Sequence, residues 1–396
     1  EIGESLSGAA KRGRAGDMNR YAVIHAVDSS VETGLEADII IIGSGASVDH
    51  INNLRVIIAA YLRRAYGYSE RDANTLAHFV TVYNAVYRGD LNMFKSKYKA
   101  VVVKNLTAGK AGLALRYDEW PGKTQIVIPL SDQKYSGTLS TIDTSSISDK
   151  NVVDKMREQD DKDIATRKDM IDLKERESSA ARDRANVAQQ DADAARKEAA
   201  AKQSEATAAQ QEADKSKDSA AQSRQDAEKA RKDAEAAKKK AAQSEREAAA
   251  AQKQAQKNPN DRKAADEAAK KQQEAAKDKQ DASNKDKAAA EKANAAKKDN
   301  QDAVAKQKEA DAKQKAADDA AKQTQDKERE AASEKQFADT KEQEAQSDRK
   351  DVAADTRKII EEKRAERKAQ DEAAFASALP GAVLKVVDPG SMLSEV

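Results

Sequence analysis

The sequence contains no cysteine, a single tryptophan and only five prolines in 396 residues. Without thiols, a disulfide scaffold, thiolate catalysis and cysteine-ligated zinc are all excluded. Aromatic residues make up 4% of the chain and almost all of them precede residue 140, so only the N-terminal third can build an aromatic core. No apolar run reaches the ~18 residues that a membrane-crossing helix needs. Charge of one sign is lacking too: 71 Lys+Arg stand against 70 Asp+Glu, a net charge of +1. Cations flanked by carboxylates present no net positive field to release counterions from phosphates, which argues against nucleic acid as a partner. Charged residues reach 36% and mean hydropathy is −0.90. One-sided charge at that density would predict disorder, whereas mixed charge on an alanine-rich background favours long solvated helices whose neighbouring turns pair opposite signs. The chain starts at Glu1 without a basic-then-apolar leader, the pattern expected of a mature exported product or of a shortened chain.

Residues 1–130 have the mixed composition of a globular α+β domain. "YAVIHAV" (21–27) and "EADIIII" (36–42) read as strands. Over 48–68, Ile51, Leu54, Ile58, Tyr61 and Leu62 recur at helical spacing, and a second helix follows over 69–87 with Ser69 as N-cap and Gly89 as its stop. "DLNMFKSKY" predicts a short third helix, and "KAVVVKNL", "GLALRYDEW" and "KTQIVIPL" predict extended segments. The Ser/Thr-rich residues 131–149 lack periodicity and are expected to be a linker.

A helical arm is expected over 150–257. From Ala181 to Ala255 a small residue recurs at alternating steps of four and three, a heptad seam with almost nothing larger than a methyl group in it. A second arm is expected over 262–378, where Ala268 opens a strict seven-residue series that runs through Thr324 to Val352 and Ile359. Each alanine buries under about 1 kcal/mol of apolar surface, so helix propensity and ion pairs must carry much of the stability.

Between the arms, "NPND" (258–261) holds the only proline from Ser146 to Leu379. Proline lacks the N–H that the helical ladder needs, and this one looks like a fresh helix start, with Asn258 as N-cap and Pro259 in the first turn. The larger apolar residues gather at the start of the first arm (Val152, Val153, Met156, Ile164, Met170, Ile171, Leu173) and at the end of the second (Phe337, Val352, Ile359, Ile360, Phe375, Leu379). A reversal at 258–261 sets residue 171 opposite about 347 and lets those ends meet. The predicted fold class is therefore an α+β N-terminal domain followed by a very long antiparallel two-helix coiled-coil hairpin, with arms of about 150 to 160 Å. The alternatives are a kinked single rod and partial disorder. Residues 379–396, with "LPG", "AVLKVVD" and "DPGS", are expected to begin a β segment that is truncated or returns to the N-terminal domain.

Motifs with chemical potential do not hold up as sites. "DIIIIGSGASV" supplies Gly43 and Gly45 of a dinucleotide fingerprint but has Val48 where the third glycine belongs. "GKT" (122–124) lacks its upstream glycine, since Tyr117 occupies that place, and leads into a strand; a tight turn anchored by a buried Trp120 is expected instead. His25, His50 and His78 have no ligand spacing and are expected to be ordinary partly buried side chains. No catalytic, cofactor-binding or metal-binding residue is expected.

"INNLR" (51–55), "YNAVYRGD" (83–90) and "EWPGKTQIVIPL" (119–130) resemble the N-terminal domain of the spirochaetal 83/100-kilodalton antigen family of Borrelia and Treponema, with the linker about a third of the chain. The charged helical region and a strand-rich C-terminal part also resemble that family's layout. The resemblance implies an exported, envelope-associated antigen with no assigned catalysis, and it transfers no site residues. The expected function is a non-catalytic structural or interaction protein of the cell envelope or periplasm. Its partners would be protein or envelope components, with weak self-association through the arms as a further option. An extended single-helix periplasmic spacer and, remotely, a hydrolase in the N-terminal domain are the alternatives.

Overall fold

The computed structural model describes residues 1–31, 33–135, 137–158 and 162–378. By contact density the chain divides into two units, one made of Glu1–Ala185 and the segment from Ala332 onward, the other of Asn186–Ala331.

In the first unit, β1 (Arg14–Asp17), β2 (Tyr21–Ala26), β3 (Glu36–Ile42) and β4 (Thr124–Leu130) form an antiparallel sheet in that order. β2, β3 and β4 coincide with apolar runs legible in the sequence, and β3 and β4 are buried nearly throughout. Two short helices, α1 (Ile2–Leu6) and α2 (Ala9–Arg12), precede the sheet. α1 lies so close to the next helix that a Cβ on Gly3 would stand 2.2 Å from the Ile57 carbonyl oxygen. Between β3 and β4 come α3 (Ile51–Tyr66), α4 (Glu70–Val86), α5 (Leu91–Lys97) and α6 (Ala100–Val103). α3 buries Leu54, Ile58, Tyr61 and Leu62 as its spacing predicts, and Ser69 caps α4 by accepting from the Asp72 N–H.

Three expectations need correction. "KAVVVKNL" forms the helical turn α6 and not a strand; a run of three valines is too short for periodicity to separate the two, and the turn seats Val102 in the core. "GLALRYDEW" forms isolated bridges and a 3₁₀ turn over Tyr117–Glu119. Residues 131–149 are not a free linker. Ser140, Thr141, Ile142, Thr144 and Ile147 are buried, Ile142 bridges to Leu130, and α7 (Thr144–Ile147) is capped by Asp143. The Tyr68 hydroxyl donates to the Leu139 carbonyl (2.8 Å) and accepts from the Ile142 N–H (3.0 Å), and the Thr138 and Thr141 hydroxyls donate to the Tyr135 carbonyl (2.7 and 2.9 Å), so hydroxyl-rich composition here serves internal hydrogen bonds.

The expected first arm is broken near its start. α8 (Lys150–Arg157), capped by Asp149, ends before the long helix α9 (Lys162–Lys257) begins. α8 places Val152 and Met156 one turn apart on a single face, and both join the core of the sheet and helices. Met170 and Leu173 of α9 enter the same core. Ile171 instead packs on Ala345 and Val352 of α10 (Arg262–Ala378), with Ile164 beside them, close to the predicted register. Phe337 stacks on Tyr135 at 4.7 Å, whereas Ile360 and Phe375 are exposed, so the apolar ends meet only in part.

The second unit is a helix pair. Every seventh residue of α10 from Ala268 to Ala331, Thr324 included, is buried, and the small residues of α9 that recur at steps of four and three from Ala188 to Ala255 are buried or half-buried. Partners run in opposite directions: Glu212 with Lys306 (2.9 Å), Lys240 with Asp278 (3.0 Å), Glu247 with Lys271 (2.8 Å). That pairing is antiparallel and is incompatible with a single extended rod. The seam also holds polar groups. Ser223 donates to Asp299 (2.5 Å) and Ser244 to Asp278 (2.6 Å), pairs spaced by the same three heptads on both helices. A slip of one heptad would separate both pairs, so they select one register.

The reversal itself differs in detail from expectation. Asp261, not Asn258, caps α10, its carboxylate accepting from the Lys263 N–H at 3.0 Å. Asn258 and Asp261 close a β-turn (3.1 Å) with Pro259 and Asn260 at its centre, where proline's fixed φ is suited to the second position. The β segment expected over 379–396 lies outside the described residues.

Candidate functional site

His25 on β2 and Asp38 on β3 are direct cross-strand partners, and His25 Nδ1 lies 2.6 Å from Asp38 Oδ1. Asp38 is fully buried amid isoleucines, and its other oxygen accepts from the hydroxyls of Tyr61 (2.7 Å) and Tyr66 on α3. A carboxylate can sit there because three donors replace its water. Burial alone would lower the His25 pKa, but the hydrogen bond and charge of Asp38 outweigh it and raise the value above the ordinary histidine range. Burial, reinforced by the Asp38 charge, pushes both tyrosines up.

His25 and Tyr66 line a cavity of about 220 Å³. Glu36, Leu130, Ser131 and Asp132 line both it and a neighbouring cavity of about 680 Å³, which Lys97 and Lys99 also line. Lys99 Nζ pairs with the buried Glu36 (2.8 Å) and donates to the Asp28 carbonyl (2.8 Å). These groups form a polar pocket beside the first residue of β3 and the last of β4.

A second polar cluster joins residues 144–145 to the two long helices within the first unit. Glu177 on α9, fully buried, accepts from the Thr144 hydroxyl (2.7 Å). Lys341 on α10 donates to Thr144 (2.8 Å) and Ser145 (2.6 Å), with its Nζ 3.7 Å from Glu177. Ser145 donates to Glu344 (2.7 Å), and Lys174 bridges Glu344 (3.3 Å) and Asp348 (2.8 Å). Burial pushes the Glu177 carboxyl up to about 7 in spite of Lys341. Glu344, which burial alone would raise, is held below the usual carboxylate range by Lys341 and Lys174. Nearby, Arg176 clasps Asp72 (2.5 Å), and Arg71 reaches Asp172 (2.8 Å) and Asp169. This cluster is a structural clamp, with every carboxylate opposed by a cation or hydroxyl.

The sequence motifs have structural roles. A Cβ on Gly43 would stand 2.3 Å from the Asn19 backbone, and Gly45 N–H bonds the Asn19 carbonyl (2.7 Å), so "GSG" lets β3 end against the β1–β2 turn. Gly122 takes a positive φ of 74° in the "GKT" turn, and buried Trp120 donates to the Ala114 carbonyl (2.8 Å). Asn84, buried on α4, bonds both the N–H and the carbonyl of Val127, so it substitutes for a neighbouring strand on β4. Arg88 gathers the carbonyls of Gly109, Lys110, Gly112 and Lys123. His50 caps α3 by accepting from the Asn52 N–H (3.0 Å). Burial and Arg55 lower the His78 pKa to about 4. Among the described residues no group of three His, Asp or Glu side chains is placed to hold a metal, and no helix is long and apolar enough to cross a membrane.

The His25–Asp38 pair was not singled out in the sequence. An acid inside the strand "EADIIII" was the available signal, because a charged residue in a buried run demands a partner.

Comparison with curated proteins and with solved structures gives no match. A family model, Borrelia P83/100 protein, matches residues 1–306 and 231–396, two spans that overlap within the repetitive helix pair and together take in the whole chain. The chain therefore belongs to the Borrelia P83/100 protein family, the antigen family that its N-terminal motifs resemble.

Proposed function

We propose that this protein is a non-catalytic structural or interaction protein of the cell envelope, a folded head carried on a pair of long helices. The observation that supports this most is the clamp around Glu177 and Lys341. It ties the head to both helices at once, a use for buried ions that a loosely tethered domain would not need. The helix pair lines its seam with small residues and turns most of its charges to solvent, which suits a spacer that holds partners apart. Membership of an antigen family supports an envelope or surface location.

Fractionation of spirochaete cells that carry the protein, with lysine-directed cross-linking in intact cells, tests the reading. Recovery in the envelope fraction, with adducts to envelope components, is expected. Recovery wholly in the cytosol, or turnover of a substrate by the purified chain, would overturn it.

A further inference from the structure

The larger cavity of the head has features that neither its core nor the clamp requires. Its lining is charged yet internally balanced at one pair: Lys99 is neutralised by Glu36 at 2.8 Å, as His25 is by Asp38 at 2.6 Å in the smaller cavity beside it. Glu36 is 4% exposed, so a carboxylate is held at the cavity at a desolvation cost that Lys99 and the Asp28 N–H (3.0 Å) offset. With those pairs saturated, two opposite charges remain on the walls. Lys97 pairs with Asp149 at 3.5 Å and lies 5.7 Å over the Tyr87 ring, while the exposed Asp132 accepts the Lys134 N–H at 3.3 Å and has no ion pair among the described residues. Both line the same cavity, with the Ser131 hydroxyl beside them. A volume of about 680 Å³ falls inside the range of roughly 300–1,000 Å³ usual for small-molecule sites.

We propose that this cavity binds a small zwitterion, an amino acid or short peptide, with its carboxylate toward Lys97 and its ammonium toward Asp132. A ligand bearing one charge would leave one of these walls unmatched. A purely apolar ligand would cover Lys97 and Asp132 without returning the hydrogen bonds they make to water. A zwitterion satisfies both walls and adds no net charge to a lining that is already neutral. The two wall residues come from separate segments, Lys97 from the end of α5 and Asp132 from the loop after β4. The site therefore exists only in the folded head.

The test uses the full chain in calorimetric titration against the common amino acids and a set of dipeptides, with the N-acetyl and C-amide forms of whichever binds. The expected result is saturable binding of a free zwitterion, weakened at least tenfold by either modification. Lys97→Met should abolish the preference for free acid over amide, and Asp132→Asn the preference for free amine over acetylated amine. Both side chains are at least partly exposed, so neither variant threatens the fold, and circular dichroism checks this. Absence of binding across the panel, or equal binding of the modified forms, overturns the proposal, as does a loss on only one of the two modifications.

Discussion

Replacing Lys341 with methionine removes the cation that faces Glu177 while keeping a long side chain in place. In the native protein Lys341 is 4% exposed and Glu177 fully buried. Removing one partner of a buried pair costs about 3–5 kcal/mol, because the other charge is left uncompensated. The cost depends on pH. Glu177 already titrates at about 7, above its ordinary 4.5, so its folded pKa is raised. A raised carboxylate contributes stability that is fully present below its unfolded value and lost as pH rises through the folded one. From the values here that loss is about 3 kcal/mol between pH 4.5 and about 7. In Lys341→Met the Glu177 pKa rises further. At about pH 8 the variant should lose the full 3–5 kcal/mol. At about pH 5, with Glu177 protonated, the hydrogen bonds to Thr144 and Ser145 are forfeited, about 1–2 kcal/mol, with up to about 1 kcal/mol more for the partly exposed pairing with Glu344. Urea unfolding followed by Trp120, the single tryptophan and buried in the head, reads this unit directly. Adding Glu177→Gln should recover most of the loss at high pH. An equal loss at both pH values, or no rescue, would refute the reasoning.

Three further outcomes follow. Asp38→Asn should lower the His25 pKa from its raised value, read by NMR titration, and cost roughly 1–3 kcal/mol through the weakened bonds to Tyr61 and Tyr66. Ala296→Leu puts a bulky group into the seam and should destabilise the helix pair by about 1–3 kcal/mol in thermal melts, whereas Ala295→Leu, one residue away and exposed, should stay within about 0.5 kcal/mol of the parent. Ser223→Ala with Ser244→Ala should leave helix content unchanged but allow alternative registers. A cysteine pair placed at 212 and 306 would then cross-link less completely.

The helix pair was the most legible part of the chain, because small residues at heptad spacing pattern a close-packed seam between two helices and little else. Its second layer was not legible. Asp278 and Asp299 look like two more solvated acids until Ser244 and Ser223 are brought opposite them, a fact that belongs to the pairing and not to either helix. β2, β3, β4 and the main helices of the head followed from apolar pattern and caps, while β1, a polar "RAGD" segment, and α6 did not; the valines of α6 favour extension and only packing of Val102 decides otherwise. Residues 131–149 looked like a linker because hydroxyl-rich composition resembles disorder. Thr144 and Ser145 are there to serve Glu177, Lys341 and Glu344, distant in sequence. The head pocket was invisible for the same reason: Lys97 and Asp132 come to line one cavity only once β4 pairs with β3.

The central claim is that α9 and α10 lie antiparallel within one molecule. Spin labels on Glu212→Cys and Lys306→Cys, in a chain with no other cysteine and diluted with unlabelled protein, measure this directly. Pulsed electron resonance should give a separation below about 20 Å, two labelled arms around a pair of helices 8–10 Å apart. The positions are 94 residues apart in sequence, so a continuous helix would set them about 140 Å apart. Loss of the short distance on dilution would contradict the account as firmly, since the pairing would then lie between chains.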